Sequence, residues 1–315
     1  MVGRCSGRHP AAIQADGRRP IRARSHVTAA RQPVRHAPHA MTTHADPAAS
    51  QPRPTGATPF TGLPHVELSV VVPVRNERAN LAPLIHEILA TLSGVLPFEI
   101  VYVDDGSTDG TVVALQRLQL QVPALRVLRH DRGTGQSSAI RTGVQVSRGR
   151  WIATLDGDGQ NDPADIAALL TKACALATER GDERVLVAGW RTNRRDTPYK
   201  RLQSRVANRI RSRLLHDGTP DTGCGLKVFT RSLYLALPYF DHMHRFLPAL
   251  VQREGGSVQS VPVNHRPRTY GRSHYGLLDR AWAGAVDMLG VIWLARRAQA
   301  ADVTEVGGLS HTRIS

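Results

Sequence analysis

The chain has 315 residues, 41% of them apolar, and a formal net charge of +15, so it can bury the core of one large domain. Its three cysteines, Cys5, Cys174 and Cys224, are odd in number and form no CxxC pair, which excludes a disulfide framework or a zinc ribbon and points to a reducing cytoplasm. No apolar run approaches about 18 residues, and residues 1–20 lack the apolar stretch of a secretory signal, so neither a spanning helix nor a cleaved leader is expected.

Residues 1–64 are rich in Arg, Ala, Pro and His and show no sustained apolar period. They read as a disordered basic extension. The first 40 residues carry eight Arg against one Asp, yet no lysines and no stacking aromatics accompany them, so nucleic acid is not the expected partner. A start of translation at Met41 would remove this basic run altogether.

Order begins at Val66. Val66, Leu68, Val70 and Val72 alternate until Pro73 closes a first strand, and Leu81, Leu84, Ile85, Ile88, Leu89 and Leu92 follow at helical spacing. Residues 98–103 form a second strand ending in Asp104, Asp105, Gly106, Ser107, Thr108 and Asp109. Ser107 or Thr108 can cap the next helix, which carries Val112, Leu115 and Leu118. Residues 125–128 make a third strand, 135–146 a helix and 151–155 a fourth strand. This alternation argues for an α/β protein with a parallel sheet covered on both faces.

In such sheets ligands bind outside the carboxyl ends of the strands. The unusual residues fall there: Pro73 to Glu77 after the first strand, Asp104 and Asp105 after the second, and the run DGDGQNDP from Asp156 after the fourth. Asp156 and Asp158, separated by one glycine, can face the same point. Such a pair suits a hard divalent cation that keeps open positions for diphosphate oxygens. Asp162 and Pro163 read as the N-cap and first residue of the following helix. The absence of a Walker lysine, and of GxGxxG after the first strand, disfavours a P-loop enzyme and a dinucleotide-dependent dehydrogenase.

Five runs, VVVPVRNE (Val70 to Glu77), VDDGSTDGT (Val103 to Thr111), LDGDGQNDP (Leu155 to Pro163), DTGCGLKVF (Asp221 to Phe229) and RTYGRSHYG (Arg268 to Gly276), together resemble the family 2 glycosyltransferases. They most resemble the branch that charges polyprenyl phosphates, that of dolichyl-phosphate mannose synthase and bacterial undecaprenyl-phosphate sugar transferases. The resemblance implies a GT-A (nucleotide-diphospho-sugar transferase) fold, a mostly parallel sheet flanked by helices, over residues 65–275. It also implies inverting transfer from a nucleotide diphosphate sugar to a polyprenyl phosphate. Pro73, Asn76, Glu77, Asp104 and Asp105 match positions that line the nucleoside pocket. Asp156, Asp158 and Gln160 match a DxDxQ site for Mg²⁺ or Mn²⁺. Acids near a helix start are favourable by about 0.3 to 1 kcal/mol, which gives Asp109 a structural reading and leaves Glu77 open to both.

Residues 65–189 carry a net charge of −3 and residues 190–315 a net charge of +11. An acidic half fits a metal site and a basic half an anionic partner. A phosphate monoester carries close to two negative charges at neutral pH, with a second pKa of about 6, so it is already a nucleophile and needs a cationic cradle more than a base. Arg191 and Arg201 stand where the family places acceptor-phosphate arginines. Arg268, Gly271, Ser273 and Tyr275 fit its RxxGxSK pattern, with His274 in place of the usual Lys, and the resemblance implies that this loop folds over donor and acceptor. His242 and His244 have the HxH spacing of a zinc pair without an evident third ligand, and packing at a helix start is the plainer reading.

From Leu277 to Arg297 a helical wheel gathers Asp279, Arg280, Ala283, Asp287, Gly290 and Arg297 on one side and Trp282, Val286, Leu289, Ile292 and Trp293 on the other. This amphipathic stretch (276–300, before a tail at 301–315) suits an interfacial helix on the cytoplasmic face of a membrane, or packing on the sheet or in a dimer. Relatives often carry spanning helices after this point, which implies a peripheral enzyme, a membrane-protein partner or a homo-oligomer. The rival readings are a family 2 enzyme with a saccharide hydroxyl acceptor and a catalytically idle scaffold for nucleotide or lipid. A haloacid-dehalogenase-type phosphatase is a further rival, but it would want its DxDG motif after the first strand.

Overall fold

The computed structural model describes residues 65–192, 211–215, 217–267 and 277–297, all within the unit Thr58–Ser315. The basic extension, Arg201, the loop with Arg268, Gly271, Ser273, His274 and Tyr275, the side chain of Trp282 and the tail at 301–315 lie outside the described residues. Among the described residues there are seven strands: β1 (Leu68–Val74), β2 (Phe98–Asp104), β3 (Leu125–Arg129), β4 (Trp151–Thr154), β5 (Val185–Arg191), β6 (Lys227–Thr230) and β7 (Ser257–Val263). They form one sheet in the order β3-β2-β1-β4-β6-β5-β7. All neighbours are parallel except β6, which runs antiparallel to both β4 and β5.

On one face lie α1 (Leu81–Leu92), α2 (Thr111–Gln119) and α4 (Asp165–Arg180), packed on Leu68, Val70, Val72, Ile100 and Tyr102. On the other lie α3 (Gln136–Val146), α5 (Arg231–Ala236), α6 (Leu247–Arg253) and part of α7 (Leu277–Arg296), packed on Val71, Val101, Val103 and Ile152. Because both faces are covered, β1 and β2 read as nearly continuous apolar runs. Each fully buried aliphatic side chain contributes roughly 1.5–3 kcal/mol. In α1 the expected Leu81, Leu84, Ile85, Ile88 and Leu92 are buried.

Several local expectations are corrected. Pro73 does not close β1, which runs on to Val74 with Pro73 opposite Val103 of β2. The Val71 carbonyl accepts from the amide of Leu155 on the β4 side. Pro73 faces that same side, two residues beyond Val71, the last residue of β1 paired with β4, so its missing N–H breaks no pair of that ladder. Ser107 and Thr108 do not cap α2. Its N-cap is Gly110, at φ 85°, while Ser107 Oγ accepts from the Asn76 amide and the Thr108 amide donates to Asn76 Oδ1. Those two residues are committed to tying the β1 and β2 ends together. Asp162 and Pro163 do not open α4, whose N-cap is Ala164 and whose first residue is Asp165; Asp162 Oδ1 instead accepts from the Ala164 amide at 3.1 Å in the turn before it.

In α7, Val291 is buried and Met288 and Leu294 pack on the core of the α3 face, while Asp287 Oδ2 meets His242 Nδ1 at 3.0 Å. The side expected to be solvated is thus partly docked. Val286, Leu289 and Trp293 of the opposite stripe are exposed. No helix among the described residues is long and apolar enough to cross a membrane.

Candidate functional site

The carboxyl ends of β1, β2 and β4 meet where the sheet order reverses. Asp156 leaves the end of β4, its Oδ1 accepting from Gln136 Nε2 at 2.8 Å and its amide donating to Asn161 Oδ1 at 3.3 Å. Asp158 Oδ1 accepts from the Gln160 amide at 3.1 Å, which sets a tight turn. The two glycines have separate reasons. A Cβ on Gly157 would stand 2.3 Å from Val74 Cγ1, and Gly159 sits at φ +73°, a region L side chains rarely adopt. Burial and the charge of Asp158 push the Asp156 carboxyl up to about 6, against Lys227, Arg191 and Gln136, which pull it down. A carboxyl whose proton affinity is raised by the charge of a neighbouring carboxylate fits a place for a divalent cation. Among the described residues no group of three His, Cys, Asp or Glu side chains forms a metal cage.

The β1 and β2 ends hold the residues expected to bind the nucleoside, and their roles differ. Asp104 is fully buried, with Oδ2 near the Ser107 amide and Arg129 Nε, while Oδ1 has no hydrogen-bond partner among the described residues. A buried acceptor in that state is costly unless a ligand donates to it. Asp105, by contrast, accepts from the Thr134 amide and hydroxyl, His130 Nδ1 and the Gly135 amide. Burial pushes its carboxyl up, but these donors outweigh burial and hold it below its usual range. It anchors the 130–135 loop beside the place expected for the nucleoside. Asn76 adopts φ 57°, a conformation Asn tolerates better than most residues, and its side chain is taken by Thr108. Glu77 Oε2 accepts from Asn80 Nδ2 at 2.6 Å. Asp109 Oδ1 accepts from both the amide and hydroxyl of Thr111, in keeping with its structural reading.

A third wall comes from the antiparallel strand. Because β6 runs against β4, with Lys227 opposite Thr154, the loop that enters β6 (residues 221–226) arrives at the same edge at which β4 delivers Asp156. Gly225 lies so close that a Cβ there would stand 2.2 Å from Asp156 Oδ2. Thr154 Oγ1 donates to the Gly225 carbonyl at 2.7 Å. At the loop start, Arg191 makes a bidentate pair with Asp221, Nε to Oδ2 at 2.7 Å and Nη2 to Oδ1 at 2.9 Å. Two of its five N–H groups are therefore spent within the protein. At the loop end the buried Lys227 donates from Nζ to the carbonyls of Cys224 and Thr222, and burial pushes its ammonium pKa down.

The fourth wall is the end of β7. The Arg266 amide donates to the Gln160 carbonyl, and Arg266 Nη2 donates to Glu87 and to the Asn161 carbonyl. The described chain is thus held beside Gln160 just before Arg268. His242 and His244 do not form a zinc pair, since His242 turns to Asp287 and His244 Nδ1 meets Ser137 Oγ at 2.7 Å. Ser137 Oγ also accepts from the His244 amide at 3.2 Å. Burial holds this imidazole well below the usual histidine range, which leaves a neutral ring. Gln136, Asn161, Gly225 and Lys227 were not among the expected site residues. The DTGCGLKVF run carried the only signal for the last two.

Comparison with known proteins agrees with this geometry. Residues 69–237 match the model of glycosyl transferase family 2. A dodecaprenyl-phosphate galacturonate synthase of Rhizobium johnstonii is 36% identical over 236 residues, covering 73% of this chain and 68% of that one. An undecaprenyl-phosphate 4-deoxy-4-formamido-L-arabinose transferase of Edwardsiella ictaluri is 34% identical over 214 residues, covering 67% and 63%. Among solved structures, a Mycobacterium tuberculosis glucosyl-3-phosphoglycerate synthase with Mn²⁺ and UDP aligns at a TM-score of 0.52 and 18% identity over 79% of this chain and 86% of that one. A mannosyltransferase of Pyrobaculum calidifontis with GDP-Man and Mn²⁺ aligns at 0.51 and 20% identity over 75% and 65%. These structural matches establish the shared GT-A architecture, and with the family match over more than half of its length, the chain belongs to glycosyl transferase family 2.

Proposed function

We propose that this protein is an inverting glycosyltransferase that moves a sugar from a nucleotide diphosphate sugar to a polyprenyl phosphate at the cytoplasmic face of a membrane, in cell-envelope glycan or glycolipid synthesis. The observation that carries the reading is the Asp156 and Asp158 pair at the switch in strand order, backed by Gly225. The acceptor class is supported by the two sequence relatives, both named for polyprenyl-phosphate substrates.

In this reading Asp156, Asp158 and Gln160 hold Mg²⁺ or Mn²⁺, which when bound neutralises the departing diphosphate as a Lewis acid. Asp104 Oδ1 accepts a hydrogen bond from the nucleoside, supplying the partner it lacks among the described residues, and Asn76, Glu77 and Pro73 shape that pocket. The acceptor phosphate attacks as a dianion, so no side chain has to remove a proton. Its cradle is assigned to Arg201 and to Arg268, Ser273 and His274, with Arg191 contributing N–H groups not spent on Asp221. Replacing Arg268 with Ala is expected to raise the KM for prenyl phosphate at least tenfold while leaving donor binding nearly unchanged, because one charge-assisted contact to phosphate is lost. Transfer to saccharide hydroxyls with no use of prenyl phosphates would reject the acceptor assignment.

The exposed stripe of Val286, Leu289 and Trp293, with Arg297 lying 6.0 Å from the Trp293 ring centre, supports seating of α7 in an anionic headgroup layer. Replacing Trp282 and Trp293 with Ser should lower binding to anionic liposomes several-fold without altering transfer to a short, soluble prenyl phosphate. Equal liposome binding by the variant would rule this seating out.

A further inference from the structure

We propose that Lys227 is a positioning residue for the metal carboxylates, a buried cation that clamps the 221–226 loop so that Gly225 braces Asp156 from behind. Lys227 is only 3% exposed, and such a cation is kept in a protein interior only where nearby acceptors or charges compensate it. Its compensation is specific. Nζ donates to the carbonyls of Cys224 and Thr222, the first of them adjacent to Gly225, on which a Cβ would stand 2.2 Å from Asp156 Oδ2. The loop is tied at two further points, Asp221 by Arg191 and the Gly225 carbonyl by Thr154. Of these ties, the one made by Lys227 alone carries a net positive charge that no carboxylate pairs directly among the bonds described. Gln136 approaches Asp156 from α3 with its side-chain amide. Asp156 is thereby held between a neutral amide donor and a glycine wall backed by a cation, with its geometry set before a metal arrives. Groups that orient a metal ligand without touching the metal typically govern affinity by about 10–100-fold.

This inference rests on the metal-site reading above, and the test separates the two. Mn²⁺ alone is titrated into the full chain by calorimetry and by paramagnetic resonance of free Mn²⁺, for wild type, Lys227→Met, Lys227→Arg and Thr154→Val. Lys227→Met should weaken Mn²⁺ binding about 10–100-fold and Lys227→Arg should recover most of it. Thr154→Val, which removes a neighbouring tie and keeps the cation, should weaken it by less than Lys227→Met. Equal Mn²⁺ affinity in wild type and folded Lys227→Met overturns the role of Lys227 and leaves the metal site standing. Absence of Mn²⁺ binding in wild type overturns both. If Lys227→Met does not fold, the decision falls to Gly225→Ala, whose added methyl pushes directly on Asp156. Unchanged Mn²⁺ affinity there refutes the brace.

Discussion

Replacing Asp158 with Ala is expected to abolish metal-dependent binding of the nucleotide diphosphate while leaving the fold intact or slightly more stable. The functional loss follows from removing one of the two carboxylates proposed to hold the cation, where no group of three ligating side chains exists among the described residues to compensate. The effect on stability has the opposite sign. Asp156 has its carboxyl raised from 3.8 to about 6, in part by the charge of Asp158. A carboxyl with a raised folded-state pKa binds its proton more tightly when folded, so its cost is absent below pH 3.8 and fully present above about 6. Taking away Asp158 relieves part of that cost at neutral pH, on the order of 1 kcal/mol after screening by water at a partly open site. Calorimetric titration of nucleotide in the presence of Mn²⁺, alongside thermal melting of the metal-free protein, checks both halves. Unchanged nucleotide affinity, or a large drop in melting temperature, would falsify the assignment.

The parallel half of the sheet and the acidic edge were legible because their signals are local. Val70 to Val72 and Ile100 to Val103 form continuous apolar runs that only a two-sided sheet explains, and the Asp-Gly-Asp-Gly spacing of 156–159 names its own turn. The return of the chain through β6 was not legible. Four residues, Lys227 to Thr230, carry no readable period, and the antiparallel direction is set by where the preceding segment deposits them between β4 and β5. Everything that depends on that return was therefore hidden as well: the wall at Gly225, the clamp at Lys227 and the capture of Arg191 by Asp221. The resemblance placed Arg191 in an acceptor role, and its partner Asp221 lies 30 residues away in sequence. Composition alone cannot say whether an arginine in a basic segment is free for a ligand or already paired. The same limit appears at Asp104 and Asp105, two identical residues side by side with opposite surroundings.

Those two aspartates give the second large effect. Replacing Asp105 with Ala should destabilise the protein by about 3–5 kcal/mol, because a buried carboxylate that accepts from two amides, a hydroxyl and an imidazole is removed and its donors are left without acceptors. The pH dependence has a definite sign. The carboxyl of Asp105 is held below 3.8 by those donors despite burial, so its contribution is present above that value and is lost as pH falls through the lower folded-state value. The difference between wild type and the variant should accordingly be constant near neutrality and shrink in acid below about 4. Replacing Asp104 with Ala should do the reverse. Its Oδ1 is buried without a partner among the described residues, so removing it relieves a desolvation cost and should change stability by less than about 1 kcal/mol. Nucleotide binding should nevertheless fall by tenfold or more, since the acceptor proposed for the nucleoside is gone. Urea denaturation at pH 7 and pH 3.5, paired with nucleotide titration, separates the two residues. Equal destabilisation by the two substitutions, or full nucleotide affinity without Asp104, would show that the pair shares one structural role.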